Sequence, residues 1–351
     1  MIKKTYLIYV HNLRGLAILI IVAIHSRMAL FGGTNDSSLN RTLSIFLDNG
    51  TIIFVIISGF LFHHVFIDRL EFKKYIANKS KYVLLPYLLV SIIPILDKLF
   101  FDDNIPWLTP NLDSKGPIVL VFYMLFSGKH FGPFWFIPMI TIFYLLAPIL
   151  KKVNTRKFYI FIFPLIFIVG LFTYQFGYYS TIVDSFIFYL PIYLFGMWLS
   201  KYRLALFKHQ QWIFPMLILL YVGVTVLELM QIVTAPKLAG FHTLDAAYFI
   251  FNPAKLRFTI LAVILLIVFH KLEFVKFKFL RILGDYSFGI YFVHLFFIII
   301  FQKTVQFYQL ELPQSLILFL MLSFFTVSCS ILFVWIVKII FKDKSRLIIG
   351  S

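Results

Sequence analysis

The chain has 351 residues, 61% of them hydrophobic and 13% charged, with 32 lysines and arginines against 15 acidic residues and a formal net charge of +17. A water-soluble domain is closer to half apolar and about a quarter charged; the excess here falls in many runs of roughly twenty, the length that crosses about 30 Å of hydrocarbon. The basic residues sit in short clusters between those runs, which argues against a nucleic-acid surface and matches charge-biased membrane loops, while the single cysteine, Cys329, excludes a disulfide framework and a thiolate metal site.

Ten runs predict membrane spans, at about 12–31, 43–66, 82–100, 131–150, 158–175, 182–200, 212–233, 250–270, 286–306 and 315–341. The run 117–127 is apolar but short and reads as interfacial or re-entrant. The opening MIKK followed by an apolar run mimics a signal peptide, yet Arg14 lies inside the run and no small-residue cleavage site follows, so it is expected to stay as a first helix. Asn252 and Pro253 interrupt the eighth span, which is expected to begin at Pro253, a residue tolerated in a first turn. The expected fold class is all-α: a polytopic integral membrane protein of about ten transmembrane helices, without internal repeat or soluble domain.

Loops on one side of these spans hold 22 of the 32 lysines and arginines: Lys3, Lys4, the cluster from Arg69 to Lys81, that from Lys151 to Lys157, Lys201 to Lys208, Lys271 to Arg281, and Lys338 to Arg346. The other side holds six: Arg41, Lys98, Lys115, Lys129, Lys237 and Lys303. Short cytoplasmic loops carry the excess of Lys and Arg. Both termini are therefore expected inside, with the long 101–130 loop outside. A reporter active only outside the cytoplasm should give signal when fused after Gly33 and none after Lys74; the reverse pattern would invert this topology.

The first span, YVHNLRGLAILIIVAIHSRMAL, carries Arg14 and His25 eleven residues apart. At about 100° per residue that separation is three turns plus about 20°, so both lie on one face, about 16 Å apart along the axis. His11 falls about 40° off the same line. Singly, Arg14 reads equally as a snorkelling anchor and His25 as a cap on a neighbouring helix. Together, with Asn12 and Ser26 nearby, they favour a polar path through the membrane. A neutral imidazole in an apolar site is a competent general base, and a buried arginine can hold an anionic group.

The spacing R-x10-H from Arg14 to His25 resembles the first-helix signature of the membrane acyltransferase-3 family, and further segments agree in order. FVIISGFLF, with Ser58-Gly59-Phe60, resembles the family's S-G-F segment; NKSKYVLLPY, with Lys79, Lys81, Pro86 and Tyr87, its basic pair ahead of Pro-Tyr. GPFWFIPMITIFYLLAPIL resembles the W-F segment that ends in Pro, and YSFGIYFVHLF supplies Ser287, Tyr291 and His294 for the S-x3-Y-x2-H pattern. The resemblance implies one transmembrane acyltransferase domain over residues 1–351, which moves an acyl group, acetyl being the expected one, from a cytoplasmic acyl-CoA to a hydroxyl of a cell-surface polysaccharide or lipid-linked sugar. It implies His25 and Arg14 as catalytic residues, Arg69, Lys79 and Lys81 at the acyl-CoA phosphates, and Ser58, Trp135, Tyr291 and His294 at the substrate. The chain departs from many relatives in having, after its second span, Arg69 and then mostly lysines where they have several arginines; lysine does not bind phosphate bidentately.

Other constellations carry less. His63 and Asp68 make an H-x4-D pattern without the partner motif that would give it meaning, and Trp135 reads equally as a headgroup anchor. Glu228 and Asp184, the acids nearest the membrane, suit either the orienting of a histidine or a pairing with a neighbour. There is no Walker-type loop, zinc-binding spacing or G-x-S-x-G, so no metal is expected. The competing function is a transporter of a polysaccharide or lipid-linked sugar, which would show a similar polar stripe. No inverted repeat or pair of broken helices supports it.

Overall fold

Pro86 has no N–H to offer the carbonyl of Tyr82, and in the computed structural model the chain widens into a π-helical turn, Ser80–Leu84, just before it. Pro164 follows the π turn Phe158–Ile162 in the same way. Pro148 lies just past the break where two helical segments meet at 57°. These breaks punctuate a structure that is otherwise long helices. It describes residues 6–32, 37–101, 115–174, 180–232 and 251–351, and no strand occurs among them. Lys3, Lys4, Gly33, Lys237, residues 102–114 of the 101–130 loop and the outermost residues of the predicted fifth, seventh and eighth spans lie outside the described residues.

In chain order the helices are α1 (Ile8–Phe31), α2 (Ser38–Leu47), α3 (Thr51–Leu61), α4 (Phe72–Lys79), α5 (Leu85–Phe100), α6 (Pro117–Ser127), α7 (Phe136–Leu145) and α8 (Ala147–Val153). They continue as α9 (Phe163–Gly170), α10 (Ile182–Lys208), α11 (Gln210–Leu229), α12 (Pro253–Lys271), α13 (Lys278–Phe307), α14 (Leu316–Phe341) and α15 (Ser345–Ile349). Among the described residues, eight helical stretches are long and apolar enough to cross a membrane, and the bent pair Gly132–Leu145 with Ala147–Val153 makes up to nine. Of the ten expected spans, the fifth differs. Its helix, Phe158–Gly170, falls short of a full crossing, because it gives way to turns after Gly170, where the ring of Pro191 occupies the space a Cβ would need. The run 117–127 is a short helix, as its length predicts.

Lipid gives helices no hydrophobic reason to associate, so close packing through small residues does that work. Gly15 and Gly284 set the crossing of α1 with α13: a Cβ on Gly15 would strike the carbonyl of Leu280, and one on Gly284 would strike His11. Gly59 and Gly196 do the same for α3 and α10, facing the carbonyls of Tyr193 and Ile56. The glycine of the S-G-F segment is thus a packing residue.

Two buried cations of α12 find partners in neighbouring helices. Lys255, fully buried, donates from Nζ to the carbonyls of Gly170 at 2.7 Å and Phe188 at 2.6 Å and to Thr173 Oγ1 at 2.8 Å, which uses all three of its protons. Arg257 is ion-paired with Glu228. Asp184 closes a capping box with Thr181 at the start of α10. Both acids therefore serve neighbours rather than a histidine.

Candidate active site

The continuous α1 carries Arg14 and His25 onto one wall of a cavity of about 1580 Å³. α13 runs parallel beside it, since Arg14 donates from Nη2 to the carbonyl of Gly284 while Gln302, further along α13, reaches Ala29, further along α1. Depth in the cavity can be read from these pairings. Arg14, Lys79, Asp285 and Arg346 line one end; His25, Ser58, Trp135 and Tyr291 line the stretch beyond; Lys98, Lys129, His130 and Gln302 line the other end.

His25 lies against His294, with ring centroids 5.2 Å apart. His294 is fully buried, and its Nδ1 sits 3.0 Å from the carbonyl oxygen of Ile290 and 2.9 Å from that of Tyr291. Carbonyls only accept, so Nδ1 carries the proton and Nε2 holds a bare lone pair. That Nε2 is buried and has no hydrogen-bond partner. The arrangement leaves an acceptor beside His25 that can hold one of its N–H groups and free its other nitrogen as a base.

Tyr291 lines the cavity, but its hydroxyl donates to the carbonyl of Pro133 at 2.6 Å, tying α13 to the turn Gly132–Trp135. His294 lies behind the wall, one turn on, and reaches the cavity only through His25. Trp135 stacks on Tyr189 at 5.8 Å and 18°, and both rings line the cavity, so the indole is a wall. Lys79 points its Nζ at the rings of Tyr144, Tyr75 and Phe66, at 4.6, 5.4 and 5.6 Å, and borders the cavity. Arg69 and Lys81, expected with it at the donor phosphates, are exposed and line no part of the cavity; Arg69 donates back to Val65. Lys79 and Lys81 differ by about 200° around the helix axis, so only one of them can face inward. His63 Nδ1 lies 3.0 Å from Ser200 Oγ, and neither it nor Asp68 lines the cavity. His11 turns toward Arg281 and Asp285. Asn12 and Ser26 are buried outside the cavity.

Sequence reasoning missed three features of this site. Arg27 pairs with Asp48 at 3.0 Å and Asn40 at 2.6 Å on the wall next to His25; opposite charges in adjacent spans were the available signal. His130 donates from Nδ1 to the Met124 carbonyl at 2.8 Å and its Nε2 lies 2.9 Å from Ser91 Oγ. Burial pushes its pKa down to about 4 against the pull of that carbonyl, so it is neutral at physiological pH. Arg346 gave no signal beyond that of an ordinary basic cluster between apolar runs.

No group of three or more His, Cys, Asp or Glu suited to a metal occurs among the described residues. No curated protein and no solved structure matches the chain. A family model described as an acyltransferase domain matches residues 7–335, nearly the whole length. With helices able to cross a bilayer and a polar cavity among them, the protein is a membrane acyltransferase and belongs to the acyltransferase-3 family.

Proposed function

We propose that the protein transfers an acyl group, acetyl being the simplest, from acyl-CoA to a hydroxyl of a cell-envelope carbohydrate, with His25 as general base. The observation that carries this reading is that Arg14 and His25 border one cavity at different depths. A donor held by its phosphates at the Arg14 end reaches inward with its thioester, and an acceptor comes from the Gln302 end. A turn of the His25 ring, which already lies against His294, brings one of its N–H groups to the bare His294 Nε2, and that hydrogen bond orients it. The second nitrogen of His25 takes the proton of the acceptor hydroxyl as its oxygen attacks the thioester carbonyl. The tetrahedral adduct collapses, the C–S bond breaks, and the departing thiolate takes the proton back from His25. The stacked Trp135 and Tyr189 offer a flat apolar surface to a sugar ring. Arg69 and Lys81, outside the cavity, add to the positive field that attracts a polyanionic donor.

With both termini inside, the Arg14 end opens to the cytoplasm, where acyl-CoA is made, and the plasma membrane of a cell with a surface polysaccharide is the location that fits. Mass spectrometry of envelope glycans from cells with and without the protein tests the reading. The expected result is the loss of one acyl mass per modified sugar when the protein is absent. Unmodified glycan composition with less glycan at the surface would instead indicate transport.

A further inference from the structure

Residues 342–351 lie beyond the stretch matched by the family model, yet they build part of the cavity wall. After α14 the chain turns sharply at Lys342, whose φ is 48°, and α15 brings it back against the bundle. Its end is fixed. Ser351 Oγ accepts the N–H of Gly289, inside α13, at 2.7 Å, and Ser345 donates to the Ser351 carbonyl at 2.9 Å. Ile349 is buried, and Gly350 has φ 72° with Phe288 occupying the place a Cβ would take.

This seating carries Arg346 to the cavity, its guanidinium carbon 4.3 Å from the centre of the Tyr82 ring. Its charge acts on both Arg14 and Lys79, which border the same end. Three cations from three separate segments thus converge on one mouth. The one carboxylate there, Asp285, is exposed and sits 3.2 Å from His11 Nε2. Among the described residues, no carboxylate forms an ion pair with Arg14, Lys79 or Arg346. Arg14 also keeps a buried Nε with no hydrogen-bond partner. Like charges gathered in a partly dry site repel one another, and a polyanion relieves that repulsion. Arginine further offers a planar fork matched to phosphate oxygens.

We propose that Arg346 is a donor-binding residue, which with Arg14 and Lys79 holds the phosphates of coenzyme A, and that segment 342–351 exists in part to seat it. This rests on the reading of acyl-CoA as donor. The test is calorimetric titration of the purified protein in lipid nanodiscs with coenzyme A and with adenosine 3′,5′-bisphosphate. Arg346→Gln should bind coenzyme A at least tenfold more weakly, and Arg346→Lys should fall between it and wild type. Gly350→Ala, which alters no charge but crowds Phe288, should weaken binding as well. Arg14→Lys serves as the reference and should also lose affinity. Equal elution volume and unfolding temperature establish that each variant is folded; if Arg346→Gln fails that check, Arg346→Lys and Gly350→Ala decide. Tight binding by the Arg346 variants together with loss in Arg14→Lys would overturn the role of Arg346 and leave the donor assignment standing. No binding of coenzyme A by the wild-type protein would overturn both.

Discussion

His25→Gln is expected to lower acyl transfer by about 10²–10⁴-fold, the usual cost of losing a positioned acid–base group, with wild-type abundance in the membrane. Glutamine keeps the ability to hydrogen-bond and comes close to the size of imidazole, so a histidine needed only for packing or capping would tolerate it. It cannot take up a proton. The measurement is acyl transfer from labelled acetyl-CoA in membranes carrying matched amounts of each variant. His25→Gln at wild-type rate would make the residue structural and sink the mechanism. His294→Gln separates orientation from chemistry: it should lower the rate less than His25→Gln and alter the pH profile, because the bare Nε2 within reach of the His25 ring is gone. An unchanged profile would leave His294 as a packing residue.

Glu228→Leu is expected to destabilise the fold by about 3–5 kcal/mol, because it strands a buried guanidinium. Arg257 is 1% exposed and Glu228 is the carboxylate paired with it. A second nitrogen of the same arginine, Nη1, is already buried without a partner, so little remains to compensate the loss. Thermal unfolding in detergent should show a large drop for Glu228→Leu, and the protein's abundance in the membrane should fall with it. Adding Arg257→Leu should restore most of the stability, since a well-packed apolar pair often does as well as a buried ion pair. A single variant as stable as wild type would show that lipid headgroups or water serve Arg257 instead.

Much of this protein follows from the order of its residues. Runs of apolar residues predict helices at ten places, and described helices occupy all ten, because a backbone in hydrocarbon must satisfy its own hydrogen bonds and a helix is the way to do so within one segment. The helical repeat alone places Arg14 and His25 on one face, and that face lines the cavity. Local chemistry also predicts the start of α12 at Pro253.

What the tertiary structure decided depends on which faces meet. Hydropathy measures how apolar a segment is and not how far it remains helical, so Phe158–Gly170 reads as a full span until Gly170 and Pro191 are seen packed together. Positive charge locates a loop without saying which of its cations turns inward; the π turn and the rings around Lys79 select it over Arg69 and Lys81. The resemblance implies both Tyr291 and His294 at the substrate, whereas the packing sends Tyr291 to the cavity and His294 behind it, against His25. Arg346 is separated from Lys79 by most of the chain, and only the fold-back of 342–351 sets its charge at the same mouth. Each of these is a contact between segments distant in sequence, made by side-chain shape at helix crossings, and no local pattern of residues encodes it.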